Sequence, residues 1–108
     1  MIVATTENVP GYRVREVKGS VFGLVVRSRG LLPNFIATLR SYKGGEIKEY
    51  SRLLEQGRRD ALERMQQNAL AVGANAVVMM RFDSSSIDHS FSEIVAYGTA
   101  VVLEKVGP

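Results

Sequence analysis

The chain has 108 residues, of which 45% are apolar and 23% charged, the make-up of one globular domain and not of a disordered segment. It has no cysteine, which excludes disulfides, thiolate metal sites and cysteine nucleophiles, and it has a single histidine. The net charge of +3 is dispersed along the sequence and argues against a nucleic-acid partner.

From the N-terminus, MIVATT is a short β-prone run and ENVPG carries turn residues. It lacks the basic start and long apolar core of a signal peptide, and no apolar run in the chain approaches the ~20 residues of a membrane span. The expectation is a cytoplasmic protein that does not cross a membrane. Residues 12–28, YRVREVKGSVFGLVVRS, read as one long strand. Its first half alternates without a clean apolar face until Val17, and its second half is almost wholly apolar. Gly19 and Gly23 interrupt it, as glycines do at a bulge or a close backbone approach. A bent strand passing from an exposed edge into a buried layer accounts for both halves.

Residues 31–43, LLPNFIATLRSYK, form a short helix candidate with Pro33 in its first turn, stopped by Gly44-Gly45. The clearest element runs from Glu46 to Val72, where Ile47, Tyr50, Leu54, Ala61, Met65, Ala69 and Val72 recur at helical spacing. Glu49, Arg52, Gln56, Glu63 and Gln67 form its polar face, and Gly73 is placed to end it in a left-handed cap. AVVMMRFD (76–83) predicts a short strand, SSSIDHSFS (84–92) a polar loop, and EIVAYGTAVVLEKV (93–106) a last strand. Both alternating sets of that last strand are apolar or small, whereas an antiparallel strand with one wet face alternates with charged residues. One helical layer covers one side, so the other side needs a second subunit or another sheet. The sum is an α+β domain in which one long helix packs on an antiparallel sheet. A chain this short buries only roughly two-thirds of its unfolded surface, so a partner subunit adds to its stability.

Four places carry possible chemistry. Gly44-Gly45 ahead of a helix invites an anion, but a helix precedes the pair, no Lys-Ser or Lys-Thr follows, and Glu46 and Glu49 already satisfy the helix dipole. The pair therefore reads as a hinge. Arg58 lies on the apolar stripe beside Gly57 and needs a carboxylate or a ligand, with Glu46, Asp83 and Glu93 as the carboxylates to consider. Asn68 at the stripe's edge points to the same kind of buried hydrogen bonding. His89, with Asp83, Asp88 and Glu93, makes a loose cluster that reads as a solvated loop in one chain. It becomes a weak candidate for a divalent metal only where copies converge, because soft metals want thiolates or several imidazoles. Ser84, Ser85 and Ser86 near His89 lack a visible orienting acid and oxyanion hole, so the expectation is a protein that is not an enzyme. Tyr97 and Thr99 around Gly98 bring hydroxyls that need partners, a packing matter first.

The blocks GGEIKEY, GRRDALERM, GANAVVMMRFD and EIVAYGTAVVL, with VKGSVFGLVV before them, resemble in this order the YbjQ-like family of heavy-metal-binding domains over nearly the whole chain. The resemblance implies a dodecin-subunit-like β-α-β-β core, with extra short strands that assist assembly into a ring of five identical subunits. It implies heavy-metal binding through the family's name, and it places Glu46, Tyr50, Arg58 and Arg64 at family-like positions. The reading is a homo-oligomeric, pentameric protein that binds a metal or small ligand. A structural or protein-interaction module with no ligand is the alternative.

Overall fold

The computed structural model describes residues 1–28, 48–87 and 91–107. The short helix expected at 31–43, the Gly44-Gly45 hinge and residues Glu46, Asp88 and His89 lie outside them. The elements are β1 (Ile2–Val3), β2 (Tyr12–Ser28), α1 (Lys48–Ala71), β3 (Ala76–Ile87) and β4 (Phe91–Lys105). The strands form a four-stranded sheet in the order β1-β3-β4-β2. The antiparallel expectation holds for β2 with β4 and for β3 with β4. It fails at the edge, where β1 pairs parallel to β3 through Ile2↔Ala76 and Val3↔Val77. The sheet is therefore mixed.

The helix closes as its glycine predicts. Gly73 has φ +86°, its N–H donates to Leu70 C=O at 3.0 Å, and Ala74 N–H donates to Ala69 C=O at 3.0 Å. These are the two bonds of a Schellman cap. The last turn of α1 holds no basic residue, and Lys18 of β2 reaches it instead. Its Nζ lies 3.7 Å from where a Cβ on Gly73 would stand, a cation at the negative end of the helix.

Ala61, Met65 and Ala69 are fully buried, and Gly57 continues their line. Leu54 and Val72, which share the helical period, are exposed in the single chain. The sheet under the helix supplies Val21, Val25, Val77, Ile94, Ala96 and Ala100. Small residues let backbone meet backbone. A Cβ on Gly23 of β2 would stand 2.2 Å from Ala61 O and 2.3 Å from Met65 N. A second, smaller cluster lies on the other face of the sheet, where Ala76, Val78, Val101 and Leu103 take Ile2, Val9 and Tyr12 against them.

Two irregularities in β2 set which residues share a face. Between Val14 and Val17 the strand advances three residues while β4 advances two, from Leu103 to Val101. The same happens between Val17 and Ser20, where β4 goes from Val101 to Thr99. Each bulge adds one residue and rephases the alternation. Gly19, φ +113°, sits in the second. Val14, Val17, Ser20, Phe22, Leu24 and Val26 consequently share the face away from the helix. The sequence showed no clean apolar face in the first half because a uniform alternation was being read across two bulges.

The serine run is strand, not loop. β3 extends to Ile87 and β4 starts at Phe91, with Ser84↔Ile94, Ser85↔Glu93 and Ser86↔Ser92 in register. The ladder bonds are main-chain bonds, so polar side chains on an exposed strand end do not prevent it from forming. A third bulge, at Val78/Arg81 with Met79 at φ 55°, turns β3 toward the N-terminal segment. There Met79 N–H donates to Thr6 C=O at 3.1 Å and Met80 N–H to Ala4 C=O at 3.0 Å.

Candidate functional site

The helix meets the sheet along a buried line with polar side chains on its flanks. The middle line is Gly57, Ala61, Met65 and Ala69. On one flank, Asp60, Arg64 and Asn68 follow one another at four-residue spacing along the edge strand β2. Asp60 accepts from Arg27, Arg64 Nη1 donates to Leu24 C=O at 2.6 Å, and Asn68 Nδ2 donates to Phe22 C=O at 2.8 Å. Gln56 Nε2 also donates to Asp60, at 2.9 Å. These side chains occupy two carbonyls of a strand at the end of the sheet, a device that blunts an edge against further pairing. A shallow polar hollow beside them is lined by Asp60, Glu63, Arg64 and Gln67.

On the other flank Arg58 is exposed, and its Cζ stands 5.6 Å from the centroid of the Phe82 ring, a cation–π contact. Asp83 and Glu93, named as its possible partners, belong to the opposite face of the sheet. Phe82 pairs with Ala96 on the helix side, whereas Asp83 pairs with Val95 and Ser85 with Glu93 on the far side. Gly57 is small because Ile94 lies beneath it, its Cδ1 2.6 Å from where a Cβ would be. Tyr50 lies in the first turn of α1.

The far face of the sheet gathers most of the remaining polar and apolar candidates. Register places Phe22, Tyr97 and Arg81 in one row, Leu24, Val95 and Asp83 in the next, and Val26, Glu93 and Ser85 in a third. Ser85 Oγ donates to Glu93 Oε2 at 3.2 Å, and Asp83 Oδ1 accepts from the Ser84 N–H at 2.9 Å. Arg81 Nη1 donates to the carbonyls of Thr5 and Met80, both at 2.8 Å. Asp83 and Glu93 are thus brought to one face, while Asp88 and His89 fall in residues 88–90, outside the described residues. Among the described residues no three His, Asp or Glu side chains come together as a metal site. Toward the opposite end of the molecule, Lys18 holds the Glu16 carboxyl below its ordinary range through a 2.9 Å hydrogen bond and its charge.

Reading the sequence did not assign roles to Arg64, or to Phe22, Leu24 and Val26 as a face. The four-residue spacing from Asp60 to Asn68, beside the buried line, is the signal for the first. The alternation of Phe22, Leu24 and Val26 around Gly23 is the signal for the second.

No helix among the described residues is long and apolar enough to cross a membrane. The family model described as "Putative heavy-metal-binding" matches residues 1–104. A UPF0145 protein of Bradyrhizobium sp. (strain ORS 278) is 62% identical over 104 residues, covering 96% of this chain and 94% of that protein. A UPF0145 protein of Saccharolobus solfataricus is 58% identical over 105 residues, covering 97% and 92%. One of Thermoplasma acidophilum is 53% identical over 106 residues, covering 98% and 89%. A crystal structure of a DUF74-family protein from Pediococcus pentosaceus matches with a TM-score of 0.63 at 13% identity, covering 96% of this chain and 98% of that one, a likeness of fold. With a family match across almost its whole length, and relatives above half identity that it covers nearly end to end, the chain belongs to the YbjQ family.

Proposed function

We propose that the protein is a non-catalytic subunit of a homo-oligomer, a ring of five, that binds a divalent metal ion or another small ligand where copies meet. The observation that carries this reading is the far sheet face, which sets Asp83 and Glu93 beside an apolar surface that the helix does not cover. Two carboxylates are too few for a closed cation site, which takes four to eight ligands. In a ring, each copy repeats Asp83, Asp88, His89 and Glu93, so one histidine per chain becomes several imidazoles per assembly. That is the donor set a soft metal requires from a chain without cysteine. The family description supports the same ligand class. Arg58, Glu46, Tyr50 and Asn68 serve this reading as packing and interface residues.

The test uses protein purified without an affinity tag, analysed for bound metal and titrated with Zn²⁺ and with Cu²⁺. The expected result is bound metal and a Tm that rises by several degrees, since a ligand at 100 times its Kd contributes about 2.7 kcal/mol. His89→Ala and Glu93→Gln should each reduce the rise. No bound metal and no shift with either ion would remove the metal reading. A second reading, a structural or protein-interaction module with no ligand, is favoured by the apolar residues on the same face. It expects assembly unchanged by a chelator.

A further inference from the structure

We infer that a second copy of this chain docks on the strip of Val14, Val17, Phe22, Leu24 and Val26, with Tyr97 beside it. The inference rests on the homo-oligomer reading and names its contact face. All six side chains are between 40% and 62% exposed. Val14, Phe22, Leu24 and Val26 share this face by simple alternation, and the two bulges bring Val17 to it as well. Without them Val17 would turn to the helix side, away from Val14, Phe22, Leu24 and Val26. With Val17 brought round between its two bulges, β2 sets five apolar side chains on its outer face and presents a surface.

Its size fits a subunit contact. Exposures of this order on six large side chains amount to about 500 Å², near the top of the ~300–600 Å² found for the largest apolar patch of a monomer. They form the greater part of the roughly 800 Å² per partner of a stable interface. The shape agrees. The Cα radius of gyration is 17.5 Å, against about 13 Å for a compact domain of this length. The shortest extent is 15 Å, the thickness of one sheet and one helix. The cluster on the far face at Ala76, Val78, Val101 and Leu103 is closed by the chain's own N-terminal residues. From Val17 to Val26 no such cover packs against it among the described residues.

The chemistry selects the occupant. Asp83 and Glu93 share this face, and Arg81 is engaged with two main-chain carbonyls. Such a face repels phosphates, which disfavours nucleic acid and anionic lipid and leaves an apolar protein surface as the fit. Arg64 and Asn68 hold the Leu24 and Phe22 carbonyls, so contact comes through the face of β2 and not by adding a strand to its edge.

The experiment is sedimentation of the wild-type chain, of Val17→Lys and Phe22→Lys, and of Leu70→Lys, which alters an exposed apolar residue of α1 away from the strip. Circular dichroism checks each fold. The expected result is an oligomeric wild type, an oligomeric Leu70→Lys, and folded strip variants at the mass of one chain, 11.9 kDa. Folded strip variants that keep the wild-type mass would overturn the contact face and leave the homo-oligomer standing. A monomeric wild type would overturn both. If the lysine variants do not fold, Phe22→Cys decides, because the chain has no other cysteine. The thiol should be protected from maleimide in the assembly and react after dilution to monomer. Reaction in the assembly overturns the inference. So does protection that persists in the monomer, which would mean that residues 29–47 of the same chain cover the strip.

Discussion

At Gly23 the helix rests on the sheet with no side chain between them. The Cβ of an alanine there would stand 2.2 Å from a helix carbonyl and 2.3 Å from a helix amide, both main-chain atoms that move only if α1 moves. Gly23→Ala should therefore lower stability by at least about 2 kcal/mol, the cost of forced overpacking, read as a lower denaturation midpoint. A midpoint within error of wild type would show that the helix is not seated there. The sequence marked Gly23 as a bulge or a close approach, and the structure makes it the close approach, while Gly19 takes the bulge. Which glycine does which was not legible, because the choice depends on what lies above the strand. Arg58 teaches a similar lesson. Spacing put it on the apolar stripe, but it is exposed on the flank of the buried line, Asp83 and Glu93 alternate onto the far side of the sheet, and Phe82 is the residue that comes under the guanidinium.

At the scale of the element, α1 is held by a buried line flanked by a polar one. Ala61, Met65 and Ala69 were legible from the helical period alone, and so was the glycine cap. Asn68 was marked at the stripe's edge for buried hydrogen bonding and makes its bond to the Phe22 carbonyl near solvent, whereas Asp60 and Arg64 were not legible, because they look like ordinary helix surface until an edge strand lies next to them. Removing the two donors with Arg64→Ala and Asn68→Ala together should cost about 1–2 kcal/mol, since each bond is made near solvent. The urea midpoint should fall with the m-value unchanged, because the same surface is exposed on unfolding. A midpoint unmoved in the double variant would mean that these bonds only exchange with water. The hairpin of β3 and β4 shows the opposite failure of reading. A serine run suggests a loop by composition, but register with Ile94, Glu93 and Ser92 makes it strand.

The whole molecule is long and thin, and its apolar residues are distributed accordingly. The sequence implied a last strand covered on both faces. Among the described residues β4 is covered on both faces where the N-terminal residues reach it, at Val101 and Leu103. Farther along, Tyr97 is 44% exposed, and Phe22 and Leu24 beside it are exposed as well. The two-faced pattern was legible because it is local to one strand. The place of Val17 on the same face as Phe22 and Leu24 was not, because its phase is set by two bulges. The proposed metal site draws on carboxylates and one histidine per chain, which would make a site only through symmetry, and one chain's sequence does not display that symmetry. The proposed assembly bears on the metal site and on the strip alike, and sedimentation velocity of the tag-free wild-type chain tests it. A single species at the mass of five chains of 11.9 kDa is expected, and a monodisperse species at the mass of one chain would overturn the ring.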